Sequence, residues 1–255
     1  MVYCEPDRLA KAAEATIKEA LATAKSSGVL SSSHLIAGDV VDEIIKVAQE
    51  WKADRLIAGS HGKTKFHLQI LGSVAESLFH RIEIPVLAIG PHALPGKGVP
   101  RDRMRIGFAT SLDHDSRYLA EFALSVAEHH RADISLLYVS PEIAQGHPTA
   151  ARVTDCAENM LQNLLSVRPI KKCIPVCKVL HGPPANAILE YATRISADMI
   201  ILGASAHSAF DSRFIPGTAY RVLCDSPCPV LVLKQGSTWT NTPREASEAQ
   251  STHSA

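Results

Sequence analysis

This chain predicts an α/β fold, a doubly wound parallel sheet in two tandem repeats, and three observations carry the prediction. The first is an internal repeat. Residues 35–60, LIAGDVVDEIIKVAQEWKADRLIAGS, align without a gap onto residues 179–204, VLHGPPANAILEYATRISADMIILGA, at a shift of 144. Gly38 meets Gly182, Ile44 meets Ile188, Ala48 meets Ala192, Ile57 meets Ile201 and Gly59 meets Gly203. Pro85-Val86-Leu87 meets Pro229-Val230-Leu231 at the same shift. A period this long marks a domain duplication, because solenoid repeats run roughly 20–50 residues. The second observation is the alternation of short apolar runs with stretches of helical period, the pattern of parallel strands joined by covering helices. The third is a glycine loop, Gly59-Ser60-His61-Gly62, set between a strand and a helix.

In chain order, Glu5 to Ser26 places Leu9, Ala13, Ile17, Ala20, Leu21 and Ala24 on a helical period. Ser33 to Ala37 reads as a short strand, and Asp39 as the N-cap of a helix carrying Val41, Ile44, Ile45, Ala48 and Trp51. A strand at Arg55–Ala58, a helix at Ser73–His80 and a strand at Pro85–Ile89 complete the first domain, residues 1–90. Residues 91–103, PHALPGKGVPRDR, are rich in Pro and Gly and read as a linker. The second domain, 104–234, opens with a strand at Arg105–Thr110. A helix follows, capped by Ser116 and carrying Tyr118, Leu119, Phe122, Ala123 and Val126, and then a strand at Ile134–Val139. The tail, 235–255, is polar and is expected to be disordered.

The two domains are unequal. Val2-Tyr3 lines up with Tyr138-Val139, so about one β-α-β segment is missing from the start of the first. In a strand order of 2-1-3-4-5 or 3-2-1-4-5 the missing strand is central, and a remaining outer strand has no neighbour to pair with. Three readings stay open: a start at an internal Met of a longer protein, a natural remnant, or a gap filled by a partner chain.

Composition narrows the function classes. Lys+Arg and Asp+Glu balance at 26 each, which argues against a nucleic-acid footprint. No apolar run reaches membrane-spanning length, and MVYCEPDRLAKAAE lacks the apolar centre of a signal peptide. Six cysteines without such a signal are read as reduced thiols of a cytoplasmic protein.

The glycine loop is the candidate site. Gly59 and Gly62, followed after nine residues by Gly72-Ser73, let backbone N–H groups approach an anion unobstructed, and Gly72-Ser73 opens a helix whose free N–H groups favour phosphate. A Walker loop is excluded because Ile57 stands where its first glycine belongs, and no Gly-x-Gly-x-x-Gly occurs. In the second repeat Ala206 replaces the second glycine, and ten residues lead to Gly217-Thr218. Weak or absent nucleotide binding is expected there, although Thr218 still offers a hydroxyl at a helix start.

The Gly-x2-Gly-x9-Gly-Ser spacing, the Ala53-Asp54 and Ala197-Asp198 strand starts and the Pro-Val-Leu last strands resemble the universal stress protein family, over nearly all of residues 1–233. The resemblance implies a five-stranded doubly wound sheet and self-association through last strands, here Val86–Ile89 with Val230–Leu233 inside one chain. It implies ATP, with or without Mg²⁺, bound as in a sensor or switch. Ala58, Gly59, Gly62, Gly72, Ser73 and Val74 match the family's ribose and phosphate contacts, and Gly203, Gly217 and Thr218 are their degenerate counterparts. The family also uses an Asp ending the first strand and backbone near the end of the second. The first repeat lacks that Asp and keeps only Val2 of the second strand. In the second repeat Ser111 stands in the place of the Asp, with Asp113 two residues late. His61, Lys63 and Lys65 are charges available to offset phosphate.

Other constellations read as structural. Cys173/Cys177 and Cys224/Cys228 are each four apart, roughly 13 Å along a strand, which is too wide for a zinc pair. Cys228 reads as a buried hydrophobe, His129-His130 as a helix C-terminus and His207 as an exposed loop residue. Asp54 and Asp198 read as local hydrogen-bonding groups. No nucleophile–base arrangement and no paired carboxylates for magnesium stand beside the loop, so binding is expected rather than catalysis. The partners expected are an adenine nucleotide and an unidentified protein, with neither nucleic acid nor membrane. The rivals are a nucleotide-independent scaffold and a slow ATP-hydrolysing enzyme.

Overall fold

Each apolar run with a neighbour to pair with becomes a strand, and each amphipathic stretch becomes a helix. The structure, a computed structural model, describes residues 6–60, 71–93, 102–140, 148–204 and 217–234. Its helices are α1 (Pro6–Ser26), α2 (Val40–Glu50), α3 (Ser73–Arg81), α4 (Ser116–His130), α5 (Pro148–Leu165), α6 (Pro184–Ile195) and α7 (Thr218–Asp225). Its strands are β1 (Leu56–Gly59), β2 (Val86–Ile89), β3 (Arg105–Ala109), β4 (Asp133–Ser140), β5 (Ile174–His181), β6 (Met199–Ala204) and β7 (Val230–Lys234).

The strands form one sheet in the order β1-β2-β7-β6-β3-β4-β5. The second repeat contributes five parallel strands, β5-β4-β3-β6-β7, the 3-2-1-4-5 order in that repeat's own count. The first contributes two, β1 and β2, parallel to each other. The repeats join through one antiparallel ladder between their last strands, pairing Val86 with Val232, Leu87 with Leu231 and Ala88 with Val230. Both last strands therefore lie inside the sheet, and the two repeats' strands run in opposite directions.

Alternation along each strand feeds two cores. On one face Val86, Ala88, Ile200, Leu202, Val230 and Val232 meet Ala75 and Phe79 of α3, Ile188 and Tyr191 of α6, and Val222 and Leu223 of α7. On the other, Ile106, Phe108, Ile134, Leu136, Ile201, Leu231 and Leu233 meet α4 and α5 through Leu119, Phe122, Val126 and Leu161.

Corresponding hydrogen bonds recur in the two repeats. Ala53 N–H donates to Ala48 O and Ala197 N–H to Ala192 O, both at 2.8 Å. Leu56 N–H donates to Pro85 O and Ile200 N–H to Pro229 O, both at 3.0 Å. Lys52 and Ser196 take the same left-handed conformation, φ 48° each, where α2 and α6 end.

The chain forms two compact units, Met1–Val47 and Ala48–Ala255. In the first, α1 ends at Ser26, and Gly28 just beyond it, with φ 71°, turns the chain so that Val29 N–H reaches Ala24 O at 2.9 Å. Asp39 caps α2 as expected: its Oδ1 accepts the N–H groups of Val41 and Asp42, each at 3.1 Å. The sheet belongs wholly to the second unit.

Two expectations are corrected. Ser33–Ala37 is not a strand. Its repeat counterpart lies in β5, which pairs with β4 over eight residues. Among the described residues no strand of the first repeat lies beside this segment for it to pair with, and Leu35 and Ile36 are 54% and 47% exposed. Ser116 is the first residue of α4 rather than its cap. Asp115 is the cap and supplies no side-chain bond, while Asp113 Oδ1 holds the turn before the helix by accepting the Asp115 N–H and the Ser116 hydroxyl, each at 3.1 Å.

Candidate functional site

The first-repeat loop leaves the sheet at the carboxyl end of β1. Ala58 packs on the core beneath α3, while Gly59 is exposed. Ser60 is 1% exposed and joins two elements. Its N–H donates to Ile89 O at 3.0 Å, and its carbonyl accepts the Gly72 N–H at 2.9 Å. These bonds bring Gly59 and Gly72 to the two sides of one neck. Gly72 caps α3 in an extended conformation, φ −63° and ψ 140°, with no side-chain cap. The helix-start N–H groups at Ser73 and Val74, both exposed residues, therefore have no side-chain acceptor supplied by a cap. Glu76 sits in that first turn, a carboxylate of the same sign as any phosphate there. Val2, His61, Gly62, Lys63 and Lys65 lie outside the described residues, as do Ala206, His207 and the 235–255 tail.

The neck is tied to the other repeat. Leu71 N–H donates to the hydroxyl of Tyr220, in the first turn of α7, at 3.0 Å. Cys224, one turn further on, also lies against the Leu71 backbone. Burial and then Asp225 push its thiol up to about 11, with the Leu71 group pulling the other way. Tyr220 and Ser60 escaped sequence reasoning. For Tyr220 the signal was a break in the repeat: matching the helix starts Ser73 and Thr218 sets Tyr220 against Ala75.

In the second repeat, Gly203 is the next-to-last residue of β6 and Gly217 caps α7 with φ −64° and ψ 170°, again without a side-chain cap; Thr218 is the first helical residue and is exposed. The missing Cβ of Gly203 is used by packing, since a Cβ there would lie 2.3 Å from Leu119 Cδ1. At the β3 end, Ser111 donates to Asp113 Oδ2 at 2.6 Å. Burial works to raise the Asp113 carboxyl, but the Ser111 and Ser116 hydroxyls and the Asp115 N–H hold it below the ordinary carboxylate range. Asp113 thus serves the α4 start. Because the repeats run in opposite directions, β1 and β6 point opposite ways in the sheet.

Asp198 is a hydrogen-bonding group, but not a local one: its Oδ2 accepts the Arg105 N–H, 93 residues away, at 2.8 Å. Cys228 is buried, and its thiol is pushed up to about 11, first by burial. His129 and His130 occupy the last turn of α4. Among the described residues no cluster of metal-ligating side chains occurs, and no helix is long and apolar enough to cross a membrane.

A tandem, doubly wound α/β protein with a glycine-rich strand-to-helix loop is the class these features define. The universal stress protein family model matches residues 5–90 and again 103–234, and the chain belongs to that family. It is 25% identical over 128 residues to a universal stress protein of Methanocaldococcus jannaschii, across 46% of this chain and 73% of that one. It is 38% identical over 56 residues to a universal stress protein of Thermus aquaticus, across 22% of this chain and 41% of that one. The crystal structure of a universal stress protein from Archaeoglobus fulgidus shares the fold. The TM-score is 0.67 at 23% identity, covering 91% of this chain and 80% of that one.

Proposed function

We propose that this universal stress protein is a cytoplasmic stress-response module that binds an adenine nucleotide, ATP first among them, on its first-repeat loop. The site comprises Ala58, Gly59, Gly62, Gly72, Ser73 and Val74, and its occupancy shifts the loop between states rather than driving fast turnover. The observation that carries this reading is the Ser60–Gly72 bond at 2.9 Å, which sets the glycine end of β1 beside an uncapped helix start. That pairing of backbone donors with a helix dipole suits phosphate oxygens. The second-repeat loop at Gly203, Gly217 and Thr218 is the weaker site, since the space beside Gly203 is taken by Leu119.

Titration calorimetry and thermal melts with ATP, with and without Mg²⁺, test the proposal. Saturable heat and a raised Tm are expected, and both are lost in Gly72→Val. The backbone of Gly72 is in a region open to any residue, and a circular-dichroism melt without nucleotide checks that the variant is folded. The competing scaffold reading is favoured by Glu76 in the first turn of α3. It prevails if millimolar ATP gives neither heat nor stabilisation. Phosphate release that stops in Gly72→Val would instead make the protein a slow hydrolase.

A further inference from the structure

The neck of the first-repeat loop, Ser60 on one side and Leu71-Gly72 on the other, lies against a single helix of the second repeat. In the first turn of α7 the Tyr220 hydroxyl accepts the Leu71 N–H at 3.0 Å. Cys224, one turn on, meets the Leu71 backbone. At the other end of α7 the contact passes through Gly90, the residue after β2. A Cβ added there would lie 3.5 Å from Leu223 O, 3.6 Å from Ser60 Oγ and 3.8 Å from Ser226 O. Gly90 therefore sits between the neck and the end of α7. Ser60 and Ser226 are each 1% exposed, so the seam is closed to bulk water. The contacts are one-sided. Matching the helix starts sets Tyr220 against Ala75, and the C-caps of α7 and α3 are Ser226 and Ile82. At the shift of 144, Ser60 corresponds to Ala204 and Gly90 to Lys234. None of these counterparts can make the same contact, so α3 lacks the groups to seat the second-repeat loop as α7 seats the first.

We propose that α7 regulates the first-repeat site, with Tyr220 as its positioning residue: the order of α7 sets the affinity of the loop for its ligand, and a bound ligand orders α7 in return. The inference rests on the nucleotide reading above and names how that site is controlled. An anion at the start of α3 is held by the backbone N–H groups that follow Gly72. Those groups converge on one place only while the Gly72 backbone stays extended. The Tyr220 hydroxyl fixes the adjoining Leu71 from outside the loop. Without it, the neck is ordered at the moment of binding, and affinity falls by that entropic cost. Linkage makes the effect reciprocal, because whatever stabilisation α7 lends to binding, binding lends to α7. Helix α7 also begins at Gly217-Thr218, the helix start of the weaker second-repeat loop. Whatever orders or distorts that helix start therefore acts on the first-repeat site through Tyr220, in the same turn.

Hydrogen exchange and titration calorimetry on the full chain test this, with ATP and Mg²⁺ as the probe. The variants are Tyr220→Phe and, as a control, Tyr191→Phe. The Tyr191 hydroxyl makes a bond of similar length, 3.0 Å, to Ser135 inside the second repeat. In the native chain ATP slows exchange at Leu71 and Gly72 and also at Val222, Leu223 and Cys224 of α7. Tyr220→Phe weakens ATP binding at least about fivefold, the low end of couplings between sites, and removes the α7 response even at saturating ATP. Tyr191→Phe lowers Tm but keeps the native Kd and the native α7 response. The proposal is overturned if Tyr220→Phe binds ATP as the native chain does, or if ATP leaves exchange in α7 unchanged. It is also overturned if Tyr191→Phe weakens ATP binding equally, since the effect would then be one of general stability. These three outcomes leave the nucleotide reading standing. Absence of heat from the native chain at millimolar ATP overturns that reading, and its control by α7 with it.

Discussion

The backbone N–H of Leu71 and the hydroxyl of Tyr220, 149 residues apart, meet at 3.0 Å. One belongs to the last residue before the Gly72 cap of α3, the other to the first turn of α7. The relation runs one way. Matching the helix starts puts Ala75 where Tyr220 stands, and Ala75 has no hydroxyl to offer the second repeat. The repeat with the degenerate loop thus anchors the loop that keeps its glycines.

Tyr220→Phe removes the acceptor from a part-buried N–H and should cost about 1 kcal/mol, the low end for an orphaned donor because Cys224 also lies against Leu71. For a chain of this size that lowers Tm by about 2–4 °C. Because the tie also sets the end of the loop, the rise in Tm produced by ATP shrinks in the same variant. Equal ATP stabilisation in Tyr220→Phe and the native protein would make the bond purely structural.

Glu128, in the last turn of α4, ties down the start of β5. Its Oε1 accepts the N–H groups of Lys171, Lys172 and Cys173 at 2.9, 2.7 and 2.9 Å. Burial acts to raise the carboxyl, but these donors outweigh it and hold Glu128 at about 2, against an ordinary 4.5. The folded pKa is depressed, so the stabilisation is complete above pH 4.5 and is lost as pH falls toward 2. Charged hydrogen bonds and solvent screening together set it at about 1–2 kcal/mol. Urea unfolding from pH 6 down to pH 2.5 should show this loss, and Glu128→Gln should flatten the curve over that range. A variant with the same acid slope as the native protein would assign the acid sensitivity elsewhere.

Legibility in the sequence followed the range of the interactions. The gapless repeat between residues 35–60 and 179–204 placed β1, β6, α2 and α6, because strand and helix periodicity are local. Asp198 is expected to hydrogen-bond locally, and it does not. Its partner, the Arg105 N–H, lies 93 residues away across the β3–β6 ladder and has no local signature. Ser33–Ala37 carries as good a strand pattern as its counterpart in β5, yet forms no strand, because pairing depends on a neighbour rather than on the segment itself. Glu128 went unnoticed for a similar reason: a charged residue near a helix end looks like solvated surface until three amides, 43–45 residues on, are folded onto it.

Gly203 separates the ligand role from the packing role of a family glycine. It matches Gly59, but Leu119 of α4 leans into the space where its Cβ would be, with Cδ1 only 2.3 Å away, and Leu119 itself is buried in the second core. The close atom is the far end of a flexible side chain, but Leu119 is buried and its shift disturbs the core around it, so Gly203→Ala should destabilise the chain by about 1 kcal/mol, the low end of overpacking costs. Gly107→Ala, on the adjacent β3, meets only Leu137 Cδ1 at an ordinary 3.7 Å and serves as the tolerated control. Pairing Gly203→Ala with Leu119→Ala, which vacates the contested space, should recover part of the loss relative to the sum of the single variants. Strict additivity in a double-mutant cycle of urea midpoints would show that Leu119 is not what makes a glycine necessary at residue 203.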